Sequence, residues 1–393
     1  MRTHIILIVL ALVVGNLSAQ TSIDRVLRSV EENNKDLRAN SQLIQSRKLE
    51  ARLANNLADP SVTYSQLYGN KEGLGFTGEF VASQSFDFPT VYAQKHKLTQ
   101  AKHLGFDREG QAFRQQILLQ AKEICLDLVL LNQQKQLLET RLRNAEQLSA
   151  MYAKRMQQGD ANILEINKID LELLNVKTQT RLNETNRIAK MRELAILNGG
   201  VSIEFTDTAY AFVEDVISYS DLKHEALAAD PTLQILRDAQ LTAMRQLSVD
   251  KAKNLPGFTL GYRMNPASGG VRFHGFLVGI SIPLFSNRNH VKQAKAQSCY
   301  TEMQLESTTF AAEKDLFRLY HQSEALRASV NEYQKVLSRQ NNLELLNKAI
   351  CAGQISMIEY FVDITTYYDS VENYLQLQNQ YQKAMAQLYK YKL

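Results

Sequence analysis

The chain punctuates itself twice, in the same order. Asn34-Lys35-Asp36-Leu37 is followed by Ala54-Asn55-Asn56-Leu57-Ala58-Asp59-Pro60, then Ser61-Val62-Thr63-Tyr64. Asp230-Pro231-Thr232-Leu233 is followed by Ala252-Lys253-Asn254-Leu255-Pro256, then Gly257-Phe258-Thr259-Leu260. Pro60 and Pro256 each close a helical stretch and open an alternating one. They lie about 196 positions apart, as do Ser85 and Ser281. Farther on, Gly159-Asp160-Ala161-Asn162-Ile163-Leu164-Glu165 is answered by Gly353-Gln354-Ile355-Ser356-Met357-Ile358-Glu359. A repeat this long is a duplicated structural unit, covering 20–200 and 221–393 and joined by a linker, 201–220. The chain must therefore be built from two copies of helix–strand–strand–helix–helix.

The helical stretches are long and fit one another. Asp24–Leu57, Tyr92–Gln158 and Asn162–Leu197 read as helices, and Asp221–Asn254, Arg288–Ala352 and Ile355–Tyr391 repeat them. At about 1.5 Å per residue the run 92–158 is roughly 100 Å long, while 24–57 and 162–197 sum to nearly the same value. Two shorter helices stacked end to end would lie beside one long helix, in both halves. Apolar positions recur at three and four, as in Leu126, Val129 and Leu130, and the opposite faces are dense in Gln, Asn, Lys and Glu. Such faces suit a helix with water on one side, in an antiparallel coiled coil.

Between the helices the period changes to two. Val62, Tyr64 and Tyr68 alternate with small and polar residues, as do Phe80, Ala82, Phe86 and Phe88. Phe258, Leu260, Tyr262 and Met264, then Phe276, Val278, Ile280 and Ile282, do the same in the second half. Strands are expected at about 61–69, 79–88, 257–265 and 274–284. Each has the length of a tilted membrane strand with one apolar face. Four strands cannot close a barrel, and open edges are not tolerated in lipid. The chain must supply a fraction of a shared barrel, and three copies would give twelve strands.

Arg2 and His4 precede an apolar run from Ile5 to Val14, and Leu17-Ser18-Ala19 precedes Gln20, so 1–19 read as a secretory signal peptide. No cysteine follows that signal to carry a lipid anchor. No other segment approaches ~18 uninterrupted apolar residues, and 45 basic against 41 acidic side chains argue against a nucleic-acid partner. Cys125, Cys299 and Cys351 each sit in a helical pattern and read as small buried hydrophobes. Gly73-Leu74-Gly75-Phe76-Thr77-Gly78 matches a dinucleotide pattern, but a strand follows where that chemistry needs a helix, so it reads as a hairpin loop. No nucleophile elbow, metal-ligand spacing or phosphate loop appears, so no enzyme, cofactor or resident metal is expected.

The duplicated pattern, Asp230-Pro231-x-Leu233, Gly279-Ile280-Ser281-Ile282-Pro283-Leu284-Phe285 and the two Gly-x5-Glu turns resemble the TolC-like outer membrane factors, over about residues 21–391. The resemblance implies a mainly helical chain whose long helices form a periplasmic tunnel, with 201–220 as an equatorial linker. Its four strands would belong to a homotrimeric twelve-stranded barrel in the outer membrane. It implies a passive conduit served by a periplasmic adaptor and an inner-membrane efflux pump. Ile282–Asn289 is similar to the heavy-metal efflux branch, which implies metal cations as cargo. The turns at Gly159, Asp160, Gly353 and Gln354 would meet the adaptor, although Asp160 and Gln354 stand where relatives carry an apolar residue. Glu165, Glu359 and Asp363 would form the periplasmic gate, and Phe276, Val278, Ile280 and Ile282 would face lipid. The competing reading, a periplasmic coiled-coil adaptor or scaffold, is disfavoured by the doubled hairpin and the lack of β-rich flanks.

Overall fold

A computed structural model describes residues 22–212, 217–339 and 342–393, so the expected signal peptide lies outside the described residues. The elements in order are α1 (22–33), α2 (Lys35–Leu53), β1 (Ser61–Tyr68), β2 (Phe76–Phe86), α3 (Pro89–Gln157) and α4 (Ile163–Leu197). The second half supplies α5 (Tyr219–Ala229), α6 (Pro231–Ala252), β3 (Gly257–Pro266), β4 (Arg272–Ser281), α7 (His290–Arg339), α8 (Asn342–Cys351) and α9 (Met357–Leu388). The chain is mainly helical with one small antiparallel sheet, the fold class its periodicities predict.

Two stretches read as single helices are broken, each at a capping residue. Asn34 separates α1 from α2: its Oδ1 accepts the Leu37 N–H at 2.8 Å, and its Nδ2 donates to the Leu197 carbonyl at 2.8 Å. Asp230 separates α5 from α6 by accepting the N–H groups of Thr232 and Leu233 at 2.8 and 3.1 Å, with Pro231 at the first helical position. An Asn or Asp side chain that satisfies a new helix N-terminus offsets the lost backbone bonds. The expected helix 288–352 is described as α7 and α8, on either side of residues 340 and 341, which lie outside the described residues. By contrast α3 runs unbroken for 69 residues through Gly105 and Gly110. A Cβ on Gly110 would stand 2.6 Å from Ile44 Cδ1, so glycine there lets α2 approach closely.

The described residues form two compact units. One comprises residues up to Arg38, Phe113–Ala226 and Glu313–Leu393; the other comprises Ala39–Ala112 and Leu227–Ala312. The first holds three apolar clusters, the largest around Val30, Leu128, Val129, Leu194 and Phe205. Cys125 is fully buried in that cluster, but Cys299 and Cys351 are exposed, because their positions fall on the outward side of α7 and α8. The expectation of three buried thiols therefore holds for one. All three cysteines are free.

The second unit holds the sheet, in the order β1-β2-β3-β4, all antiparallel, with β1 and β4 at its edges. Opposite residues in an antiparallel ladder share a face. The pairs Tyr64↔Phe80, Phe80↔Met264, Ala82↔Tyr262, Tyr262↔Phe276, Leu260↔Val278 and Phe258↔Ile280 put the apolar series of all four strands on one side. The other side is mainly polar or small, with Leu67, Val81, Phe273 and Leu277 as its apolar members: Ser61 and Ser83 hydroxyls lie 2.9 Å apart, those of Ser85 and Thr259 3.1 Å, and Arg263 pairs with Glu79 at 2.6 Å. In the first hairpin Gly73 and Gly75 take positive φ, and Gly78 lies within β2, so the dinucleotide-like pattern is a turn.

Candidate functional site

Three features could carry function: the two tight turns, the acids beyond them, and the apolar sheet face. Each turn begins where a helix must stop. Gly159 and Gly353 adopt φ of 81° and 71°, and nothing lies within 4 Å of where a Cβ would stand. Backbone conformation, not crowding, selects glycine there. The same bonds close both turns: Asp160 N–H to the Arg155 carbonyl and Gln354 N–H to the Ala349 carbonyl, at 2.8 and 2.9 Å. Asp160 and Gln354 therefore serve through their backbone, and both are exposed.

The next helix opens with a reciprocal cap in each case. Asn162 Oδ1 accepts the Glu165 N–H at 3.1 Å, while Glu165 accepts the Asn162 N–H at 3.0 Å. Ser356 Oγ accepts the Glu359 N–H at 3.2 Å, and Glu359 accepts the Ser356 N–H at 2.8 Å. The Ser356 backbone N–H, and then its hydroxyl, hold the exposed Glu359 carboxyl below its ordinary range. Both acids thus have a structural duty that the spacings Asn-x-x-Glu and Ser-x-x-Glu already spelled out in the sequence. Asp363, one turn beyond Glu359 on α9, is exposed and shares an open cavity of about 620 Å³ with Glu332, Tyr333, Val336 and Tyr367.

Behind the turns Leu148, Tyr152, Ile169, Ile350, Met357, Tyr360, Ile364 and Tyr368 pack as one cluster. A polar set pins its border. Arg141 pairs with Glu172 at 2.7 Å and lies 5.0 Å from the Tyr368 ring centre, and Asn144 donates to the Tyr368 hydroxyl at 3.0 Å. Burial pushes the Tyr360 and Tyr368 phenols up, so both stay neutral, and the Tyr360 hydroxyl donates to Asn347 Oδ1 at 2.9 Å. These residues escaped sequence reasoning, since α3, α4 and α9 are joined only by the fold.

On the sheet, Phe276, Val278 and Ile280 project from the apolar face of β4 and are 93%, 74% and 65% exposed. Ile282 falls just past the strand end, before Pro283, and is exposed too. A sheet with an exposed apolar face, a mainly polar reverse and two open edges is no finished soluble structure. Among the described residues no helix is long and apolar enough to cross a membrane, and none of the His, Cys, Asp and Glu groups could hold a metal ion.

Residues 222–391 match the family of outer membrane efflux proteins. CusC, studied in crystal structures of folding and transmembrane channel formation, superposes with a TM-score of 0.78 at 17% identity, covering 94% of this chain and 92% of that one. VceC from Vibrio cholerae gives 0.73 at 15% identity, covering 95% and 96%. The open-state MtrE channel of Neisseria gonorrhoeae gives 0.67 at 15%, covering 94% and 88%. The fold is that of the outer membrane efflux channels. A comparison with curated proteins gives no match. Proteins of the matched family are channels, not enzymes.

Proposed function

We propose that three copies of this chain close a twelve-stranded barrel in the outer membrane and continue it as a helical tunnel in the periplasm. The conduit is passive: an inner-membrane pump delivers substrate through a periplasmic adaptor that meets the turns at Gly159, Asp160, Gly353 and Gln354. The observation that carries this reading is the sheet register. It puts the apolar residues of four strands on one exposed face and leaves β1 and β4 without neighbours. Lipid accepts the face, and identical sheets from two further copies accept the edges. Phe276, Val278, Ile280 and Ile282 face lipid in this arrangement.

Cargo of positive charge, heavy-metal cations in particular, fits the entrance. Three copies of Asp363 and Glu359, with Glu165 on the companion turn, would set a ring of carboxylates that attracts cations and repels anions. Glu359 must then serve two masters, its cap and the ring. Glutamine retains an oxygen for the Ser356 N–H, so Glu359→Gln removes the charge and keeps the cap. Planar-bilayer conductance tests the gate. Cation selectivity should weaken in Glu359→Gln with Asp363→Asn, and more than in Glu165→Gln. Unaltered selectivity in a correctly assembled double variant would remove these residues from the gate.

A further inference from the structure

The four places where a helix meets the sheet share a property that a conduit does not require. Each carries exposed Lys or Arg. Arg52 ends α2, Lys97 lies in the opening turns of α3, Lys251 ends α6, and Arg288, Lys292 and Lys295 surround the start of α7. All six are exposed, and among the described residues none makes a salt bridge. Nearby acids are largely answered within the chain: Asp87 by Lys95 at 2.8 Å and the buried Asp250 by Lys253 at 3.8 Å. Glu50 and Asp59 are the exposed acids that remain.

By the helical rise, each cation on a helix stands within about 12 Å of that helix's sheet-side end. That is close to the screening length of about 8 Å at physiological salt. The level is also amphipathic. Leu284 and Phe285, just past β4, are 73% and 81% exposed. The Tyr92 hydroxyl accepts the Asp87 N–H at 2.9 Å, and Lys95 Nζ sits 5.5 Å from the Tyr92 ring centre. Exposed Leu284 and Phe285, the half-buried Tyr92 and a set of unpaired cations, at one end of an apolar sheet face, are the composition of a membrane–water boundary. At the opposite, hairpin end Lys71 is followed directly by Glu72 and only Arg272 is added, so the larger basic excess belongs to the helix end.

We infer that this basic belt binds the headgroups of anionic phospholipids in the leaflet on the helix side of the sheet. The inference rests on the reading that the sheet inserts in a membrane. Charge complementarity selects the partner: lysine and arginine near a bilayer surface attract anionic lipid and are indifferent to zwitterionic lipid. Continuity with the apolar face places a lipid there, not a free anion. The belt would fix the height at which the barrel sits and the orientation in which it stays.

The test uses the full-length protein in mild detergent, titrated with phosphatidylglycerol or phosphatidylcholine, with retained lipids counted by native mass spectrometry. Phosphatidylglycerol should be retained about fivefold more, and the preference should vanish at high salt. R52Q/K97Q/K251Q/R288Q should abolish it, K292Q/K295Q should weaken it, and K71Q at the hairpin end should leave it intact. Inorganic phosphate at matched concentration should displace little of the lipid. Carbonate-resistant insertion into neutral phosphatidylcholine vesicles, measured in parallel, separates the two claims. Failure to insert overturns the membrane reading and the belt with it. Insertion without a phosphatidylglycerol preference overturns the belt alone, as do a preference that survives in the quadruple variant or displacement by phosphate.

Discussion

Cys125 shows what burial does to one side chain. Its thiol is fully enclosed beside Leu126 and Leu128, and desolvation pushes it up to about 12, so at pH 8 the nucleophilic thiolate is absent. Cys299 and Cys351 are exposed. Alkylation of the folded protein at pH 8 should label these two and spare Cys125 until denaturant is added. Rapid labelling of Cys125 would place it outside the core. Glu359 makes a second residue-scale forecast. Its folded pKa lies below the ordinary value of 4.5, so its contribution is complete above that value and lost as pH falls through the depressed one. Hydrogen exchange at the amides of residues 356–360, corrected for intrinsic rate, should accelerate as pH falls below the ordinary value of 4.5. The same acceleration in Glu359→Gln would detach it from the cap. The turn glycines and the capping spacings after them were present in the sequence, because backbone geometry demands particular residue types within a few positions.

At the scale of elements the strand alternation was legible and the helix breaks were not. Asn34 and Asp230 were visible as repeated punctuation, yet each could have been an ordinary polar residue within a helix. What decides for Asn34 is its partner, the Leu197 carbonyl at the end of α4, which no local pattern announces. Which residues of each strand share a face, in contrast, followed from a period of two, since a slip by one residue would invert every face. The alternation makes its own prediction. Ile280→Lys or Val278→Asp should impair assembly, with depth-dependent penalties of roughly 2–4 kcal/mol per charge for a basic residue and less for an acidic one. Ser281→Thr, on the reverse face, should be tolerated. Heat-modifiable mobility on gels reads out assembly, and equal tolerance on both faces would mean that neither meets lipid.

At the scale of the whole molecule the open sheet is the deciding fact. Four strands with two free edges and an exposed apolar face require further copies, so the mature protein should fractionate with outer membranes and run as a trimer in mild detergent. A monodisperse monomer that needs no detergent would overturn the proposal. The sequence by itself determined the doubling, the long amphipathic helices and the two-faced strands, because each follows from periodicity and from residues with restricted backbones. Only the tertiary structure decided that Asn34 and Asp230 break their helices and that two of three thiols are exposed. It also joined Arg141, Glu172, Asn144 and Tyr368 across three helices. Those outcomes depend on which side chains meet across long stretches of chain, and such meetings are set by packing, which leaves no local trace in the sequence.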